Sequence, residues 1–303
     1  MLSYLLLILL ASLIFFYYYI IIKIQSSARR SLEDIYTKPE RCETYNIFDK
    51  KNPSDYGLNY ENISFVNKDN MTLKGWYIKG GKGVIILCHG RSGNRLATMQ
   101  YLDILKDKSI LDKYSILLFD MRNGGYSPRA KTGIGEFFSK DISSAIDFMN
   151  VRGHKNFYLW GFSMGSMAVI KAIKEKQNNI SIDGIIMDSP LVNGEKTITY
   201  TFIKEGQNQF IANLASFFYN INLKNKLREY SFGYLLKDIN YKILIFQSKT
   251  DLITPYNIFS QEMEQIKNKE LIEIVTFEEG EHLSLRNIQQ DIYDSKVKEF
   301  LKN

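Results

Sequence analysis

The amino-acid sequence predicts an α/β fold: a mostly parallel sheet flanked by helices, with a helical cap insertion and an apolar N-terminal helix. Three observations lead to this prediction. Short apolar segments alternate with longer segments of helical periodicity, as expected of βα units. Several of the short segments are uninterrupted runs of β-branched and aromatic residues, as in strands buried on both faces. One long segment rich in tyrosine and phenylalanine interrupts the alternation.

The N-terminal segment predicts a membrane anchor. Residues 1–22 contain no charged side chain, and as a helix they would be about 33 Å long, enough to cross the hydrocarbon core. Tyr17, Tyr18 and Tyr19 are typical of interfacial anchors. A cleaved signal peptide is the alternative, but such peptides begin with a cationic stretch and have a shorter apolar core. We therefore expect residues 1–24 to form an uncleaved, single-pass transmembrane helix in the cell membrane.

Basic residues suggest which side of the membrane holds the rest of the chain. None precedes the apolar segment, whereas several follow it: Lys23, Arg29, Arg30, Lys38 and Arg41. Because cytoplasmic flanks are enriched in Lys and Arg, this distribution favours a cytoplasmic domain. One span carries little orientation information, so an extracytoplasmic domain stays open.

Composition and charge limit the function classes. The chain is 45% hydrophobic and 24% charged, typical of a globular protein with a buried core. Its net charge of +6 fits an anionic membrane surface or a solvated basic face, and we expect no nucleic-acid partner. Cys42 and Cys88 are too few for a disulfide framework. The three histidines lie far apart in sequence, so we expect no structural metal site.

The remaining elements follow from the same patterns. Residues 25–60 are polar and contain Pro39 and Pro53, which predicts a stalk and lead-in lying against a domain of residues 61–303. The first two predicted strands have no helix between them and should pair as an antiparallel edge hairpin. Residues 193–238 or so should form a mostly helical cap over one end of the sheet. Strands are predicted at 63–67, 73–78, 84–89, 116–120, 156–161, 184–188, 242–247 and 272–277, and helices at 94–108, 136–150, 164–176, 255–267 and 285–302.

A G-x-S-x-G motif at residues 161–165 supplies the candidate nucleophile, Ser163. It lies between a predicted strand and a predicted helix, the context in which such a motif makes a sharp turn that exposes the serine. Gly161 and Gly165 permit the close backbone approach that this turn needs. The following helix would direct its N-terminal amides at the site, which suits an oxyanion.

A serine hydroxyl needs a base, and the base needs an orienting acid. His282 is the only histidine after Ser163 and follows a predicted strand, so it is the candidate base. Asp251 follows the preceding predicted strand and is the candidate acid. The other carboxylates are less suitable, because three crowd the histidine's own loop and one precedes its strand: Glu278, Glu279, Glu281 and Asp238.

An oxyanion would require two backbone N–H donors. Met164, directly after the nucleophile, should supply one. Arg91, in the loop that follows the first parallel strand, is the candidate for the other, because Gly90 lets the backbone turn there. We expect His89 to be a structural residue of this loop and not a second base.

These motifs, in this order, resemble the α/β-hydrolase superfamily, and most closely its bacterial membrane-anchored members related to the serine aminopeptidase and prolyl-oligopeptidase-like branches. The likeness covers roughly residues 62–301. The family usually shows D-x-R-G-x-G-x-S where this chain has D-M-R-N-G-G-Y-S, so Asn123 replaces a glycine in a structural loop. The matching segments are His89-Gly90, Asn94-Arg95, residues 120–127, residues 161–165, Asp188-Ser189-Pro190, Asp251 and His282.

The resemblance implies hydrolysis through an acyl-enzyme, with no metal and no organic cofactor. The aromatic cap, the anchor and the basic surface favour a small-molecule ester or thioester of an apolar, lipid-like acid, although the aromatic residues could equally pack the cap's own core. A serine peptidase is the alternative that the branch resemblance suggests. A non-catalytic membrane-bound binding module is a more remote one, because such a protein need not keep a serine, an aspartate and a histidine in this order. The sequence predicts no particular oligomeric state.

Overall fold

A computed structural model describes residues 2–37, 47, 50–175 and 180–302. The predictions that concern Lys38, Pro39, Arg41 and Cys42, and the predicted helix end at Lys176, lie outside the described residues.

The core of the fold is an eight-stranded sheet of order β1-β2-β4-β3-β5-β6-β7-β8. Strand β2 pairs antiparallel with both β1 and β4, and every other neighbouring pair is parallel. The mostly parallel sheet and its antiparallel edge hairpin are therefore confirmed. The strands are β1 (Glu61–Val66), β2 (Thr72–Ile78), β3 (Gly83–Cys88), β4 (Tyr114–Asp120), β5 (Asn156–Phe162), β6 (Ser181–Asp188), β7 (Lys242–Ser248) and β8 (Ile272–Phe277).

Helices cover both faces of this sheet. They are α1 (Leu2–Gln25), α2 (Leu32–Tyr36), α3 (Leu102–Leu105), α4 (Lys108–Leu111), α5 (Glu136–Val151), α6 (Met164–Lys174), α7 (Gly194–Lys204), α8 (Gln209–Asn222), α9 (Phe232–Leu235), α10 (Tyr256–Glu264), α11 (Leu285–Ile288) and α12 (Gln290–Lys302). Short 3₁₀ helices lie at Pro53–Tyr56, Arg95–Tyr101, Leu227–Glu229 and Lys269–Leu271.

Two of the predicted helices are wrong in detail. The helix predicted at 94–108 begins as a 3₁₀ helix, where the buried Asp120 carboxylate accepts hydrogen bonds from the Arg95 backbone N–H (2.8 Å) and guanidinium (2.6 Å). This tertiary contact overrides the periodicity. The helix predicted at 285–302 is divided at Gln289, which leaves the helical conformation with φ −135° and ψ 65°. Neither difference changes the strands whose carboxyl ends carry the predicted site residues.

The sheet separates two apolar layers. One packs α5, α6, α10 and the cap against side chains such as Ile86 and Cys88, and the other packs α3, α4 and α12 against Ile85 and Leu87. These strand residues are fully buried, as their uninterrupted apolar runs predict. The described part of the lead-in joins the second layer through Leu32, Ile35, Ile47, Tyr56 and Leu58.

Helix α1 is long and apolar enough to cross a membrane. Most of its side chains are exposed, but Ile20, Ile21 and Ile24 near its C-terminal end are buried against the cap. The Arg91 guanidinium donates a 2.8 Å hydrogen bond to the Ile24 carbonyl and also reaches the Ser26 carbonyl. The apolar helix is thus packed on the domain, and it ends beside a loop that was predicted to belong to the site.

Candidate active site

The G-x-S-x-G motif forms a strained turn between β5 and α6. Ser163 has φ 53° and ψ −120°, a conformation that costs energy for a residue with a side chain. A Cβ at Gly165 would lie 2.2 Å from the Cys88 carbonyl oxygen, and one at Gly161 would lie 2.6 Å from the Cα of Ser166. The two glycines are required because backbone occupies the space that any side chain would need.

Three loops at the carboxyl edge of the sheet bring the predicted side chains together. Ser163 follows β5, Asp251 follows β7, and His282 follows β8. The Ser163 Oγ lies 2.9 Å from His282 Nε2, and His282 Nδ1 lies 2.8 Å from Asp251 Oδ2. This geometry allows the imidazole to take a proton from the serine hydroxyl while the carboxylate fixes the opposite ring nitrogen.

A tight turn holds the Asp251 carboxylate. Its Oδ1 accepts the backbone N–H groups of Ile253 (2.7 Å) and Thr254 (2.9 Å), and its Oδ2 accepts the Thr254 hydroxyl (2.8 Å). Burial opposes ionisation, but the hydrogen bonds from His282 and from these two amides outweigh it and hold the pKa of Asp251 below its usual value. Sequence reasoning missed Thr254, although Asp followed three residues later by Thr is a recognisable side-chain-to-backbone turn.

Both predicted oxyanion donors lie at the nucleophile. Met164 opens α6 directly after Ser163. A Cβ at Gly90 would lie only 3.1 Å from the Ser163 Cβ, so the loop that continues into Arg91 passes close to the nucleophile. Arg91, Ser163 and Met164 line one cavity. Which amides bind an oxyanion stays a prediction.

His89 holds the loop that carries Arg91. It is buried, its Nε2 accepts the Met121 backbone N–H at 2.9 Å, and its Nδ1 lies 2.8 Å from the Gly90 carbonyl oxygen. Since Nε2 accepts, the proton resides on Nδ1 and is donated to that carbonyl. Burial lowers the pKa of His89 and keeps the ring neutral. Both ring nitrogens are therefore engaged by backbone.

Asn123 occupies the loop position where the resemblance leads us to expect a glycine. It has φ 64°, a left-handed conformation that asparagine tolerates better than most residues. Its side-chain amide donates to the Ser27 carbonyl oxygen at 3.0 Å. The loop of residues 120–127 is thereby joined to the segment that follows α1.

A cavity of about 310 Å³ opens at Ser163. Its walls are largely apolar, with an ion pair between Lys23 and Glu205. The end of α1 forms one side of this cavity through Lys23 and Ile24, and nothing in the sequence indicated that this helix would reach the site. The lining residues are Lys23, Ile24, Arg91, Gly133, Ile134, Ser163, Met164, Leu191, Thr197, Ile198, Thr201, Phe202, Glu205, Ile253 and Thr254. Among the described residues, no cluster of three or more His, Cys, Asp or Glu side chains could hold a metal ion.

Comparisons with known proteins agree with this architecture. The family model described as the α/β hydrolase fold matches residues 83–200. An esterase from Pyrococcus furiosus superposes with a TM-score of 0.65 at 22% identity, covering 83% of this chain and 95% of its own. An esterase from Exiguobacterium antarcticum gives 0.57 at 17% identity, covering 80% and 100%. An α/β hydrolase from a Penicillium species gives 0.58 at 15% identity, covering 81% and 98%.

No curated protein matches the sequence significantly. The family match over residues 83–200 and the shared architecture show that the chain has the α/β-hydrolase fold. The nearer resemblance, to the aminopeptidase and prolyl-oligopeptidase-like branches, stays a prediction.

Proposed function

We propose that this protein is a membrane-anchored serine hydrolase that cleaves carboxylic esters or thioesters of apolar acyl groups. One observation carries the proposal: the hydrogen-bonded series Ser163–His282–Asp251 lies at a largely apolar cavity. The solved esterases that share the fold support an ester substrate.

The geometry supports a two-step reaction. His282 Nε2 removes the Ser163 proton as Oγ attacks the substrate carbonyl, and Asp251 stabilises the imidazolium that results. The Met164 and Arg91 amides would bind the tetrahedral oxyanion. His282 then protonates the leaving group, which departs as an alcohol or thiol and leaves an acyl-serine. A water molecule, deprotonated by His282, attacks that ester and releases the acid.

The cavity favours an acyl group over a peptide. Ile134, Leu191, Ile198 and Phe202 supply apolar surface around Ser163. Within the described part of the chain, Glu205 is the one carboxylate of the cavity wall, and it is paired with Lys23. It is therefore not free to bind the amino terminus of a peptide, as an aminopeptidase would require.

We propose that helix α1 is the membrane anchor. Its length and composition support a single span of the cell membrane. Lys23, Arg29 and Arg30 at its C-terminal end favour a cytoplasmic domain by the positive-inside tendency.

Substrate profiling of the full-length chain in detergent tests the proposal. We expect turnover of p-nitrophenyl esters, with a preference for longer acyl chains, and little turnover of aminoacyl p-nitroanilides. Ser163→Ala should lower kcat by at least about 10⁴-fold. Ser139→Ala should leave activity unchanged, because this buried serine only bonds the Glu136 carbonyl within α5. Amide turnover without ester turnover would instead indicate a peptidase, and a folded protein inactive on both would indicate a binding module.

A further inference from the structure

Cap helix α8 carries an apolar stripe that the described part of the chain leaves mostly exposed. Its buried face is turned toward the domain and consists of Ala212, Ala215, Ser216 and Tyr219. On the opposite side, Phe210, Leu214, Phe217 and Ile221 recur at helical spacing. Phe210 is 72% exposed and Phe217 is 56% exposed. We call these four residues the outer stripe.

A third face of α8 packs against α1. The Phe218 ring lies edge-on to the rings of Phe16 and Tyr17, with centroid distances of 6.0 and 5.6 Å. Phe16 lies six residues before Ile22, the last residue of the uncharged segment, which is roughly 9 Å along a helix. A membrane-spanning α1 would therefore place α8 at the depth where the hydrocarbon core meets the headgroups.

The cavity lies at the same end of α1. Lys23 and Ile24, in the last turn of α1, line the cavity that holds Ser163. The Lys23–Glu205 ion pair joins this turn to the cap, and the Arg91 guanidinium binds its carbonyl groups. These contacts fix the cavity directly beneath the point where the anchor would leave the bilayer.

We propose that the outer stripe of α8 lies in the bilayer interface beside α1, so that the cavity receives its acyl substrate from the membrane. The second half of this statement rests on the proposed hydrolase activity, whereas the first half rests only on α1 being the proposed membrane anchor.

We expect a lipid bilayer to cover the outer stripe, because the stripe lies beside the exposed apolar surface of α1. The exposed apolar side chains of α1 need lipid around them, and α8 lies against the same helix. A helix with one apolar outer face and flanking basic residues is suited to lie in the plane of the interface. Exposed lysines stand near both ends of α8, namely Lys204 before it and Lys224 after it, where they would meet anionic headgroups.

Quenching by brominated lipids tests the docking directly. The full-length chain is reconstituted into phosphatidylcholine–phosphatidylglycerol vesicles with or without brominated acyl chains, and single tryptophans are introduced as Phe210→Trp, Phe217→Trp or Val151→Trp. Val151 is 85% exposed and ends α5 at the opposite end of the sheet, so it is the matched control. Native Trp76 and Trp160 are buried and contribute the same background to every variant.

We expect the added fluorescence at positions 210 and 217 to be quenched at least twofold more strongly than that at 151. Equal quenching at the three positions would overturn the docking, and it would point to another copy of the chain or to water as what meets the stripe. This readout requires no catalysis, so it stands whether or not the ester activity is found.

Activity tests the delivery of substrate. The double variant Phe210→Ser/Phe217→Ser should lower kcat/KM about fivefold or more for a long-chain ester embedded in vesicles, and leave turnover of a water-soluble acetate ester unchanged. Equal turnover of the embedded ester by variant and wild type would refute delivery from the membrane. A wild type that hydrolyses neither ester would refute the proposed function and with it the delivery, but not the docking.

Discussion

Replacing Asp251 by asparagine should disable the proposed base without altering the shape of the site. Oδ1 of Asp251 accepts two backbone N–H groups, from Ile253 and Thr254, at 2.7 and 2.9 Å. The asparagine oxygen must stay at that position, since an amide NH₂ group there would face two donors. The NH₂ group is then forced to the Oδ2 position, 2.8 Å from His282 Nδ1.

An NH₂ group at that position would donate to Nδ1, which leaves the imidazole proton on Nε2, facing Ser163. A protonated Nε2 cannot accept the serine proton, so the wrong tautomer is enforced. We expect kcat for a p-nitrophenyl ester to fall about 10⁴-fold, equivalent to about 5.5 kcal/mol in the activation barrier.

The assay is ester turnover at neutral pH by full-length protein, with circular dichroism to verify the fold. Asp238→Asn is the matched control, because Asp238 is exposed and precedes β7, whereas Asp251 follows that strand. The control should retain wild-type activity. A folded Asp251→Asn variant with more than about a tenth of wild-type kcat would refute the assignment of Asp251 as the orienting acid.

Three further predictions concern the frame around the site. Gly165→Ala should lower ester turnover at least about 100-fold, because the new Cβ would lie 2.2 Å from a backbone oxygen, and wild-type turnover would refute this. Arg122→Met leaves the buried Asp141 carboxylate without its guanidinium, so urea denaturation should show a loss of about 3–5 kcal/mol in unfolding free energy, and a loss below about 1 kcal/mol would contradict it. Burial raises the pKa of the Glu136 carboxyl, so the folded chain binds its proton more tightly than the unfolded chain does. The free energy of unfolding should therefore fall as pH rises from about 4.3 through the folded pKa. Glu136→Gln should remove this fall in thermal unfolding scans, and an unchanged pH profile of the variant would contradict the prediction.

Local patterns were sufficient to predict the sheet and the set of candidate side chains. Apart from the exposed Asn156 at the start of β5, the runs that form β3 and β5 are apolar or aromatic and buried, so the sequence predicts their burial on both faces. Ser163 and Asp251 follow buried strands, His282 follows the partly exposed edge strand β8, and parallel strands bring their carboxyl ends to one edge of the sheet. The structure brings these three side chains into hydrogen-bonding distance, while their catalytic roles remain predictions.

Contacts between distant segments were not predictable in this way. The packing of Lys23 against Glu205 joins residues 182 positions apart, and neither has a spacing that would mark it as part of a cavity. The break at Gln289 has no proline or glycine to mark it. Arg95 begins a 3₁₀ helix where the periodicity indicates an α-helix, because its backbone N–H donates a hydrogen bond to Asp120 at the end of β4. Each feature depends on the folded chain as a whole.

Covalent labelling of Ser163 is the most direct test of the central claim, that this chain is a serine hydrolase. Full-length protein in detergent would be treated with a fluorophosphonate probe beside Ser163→Ala, His282→Ala and the control Ser139→Ala, and the adduct located by mass spectrometry. We expect labelling of wild type and Ser139→Ala on Ser163, and no labelling of Ser163→Ala or His282→Ala. Folded wild type that does not label, or an adduct on another residue, would contradict it.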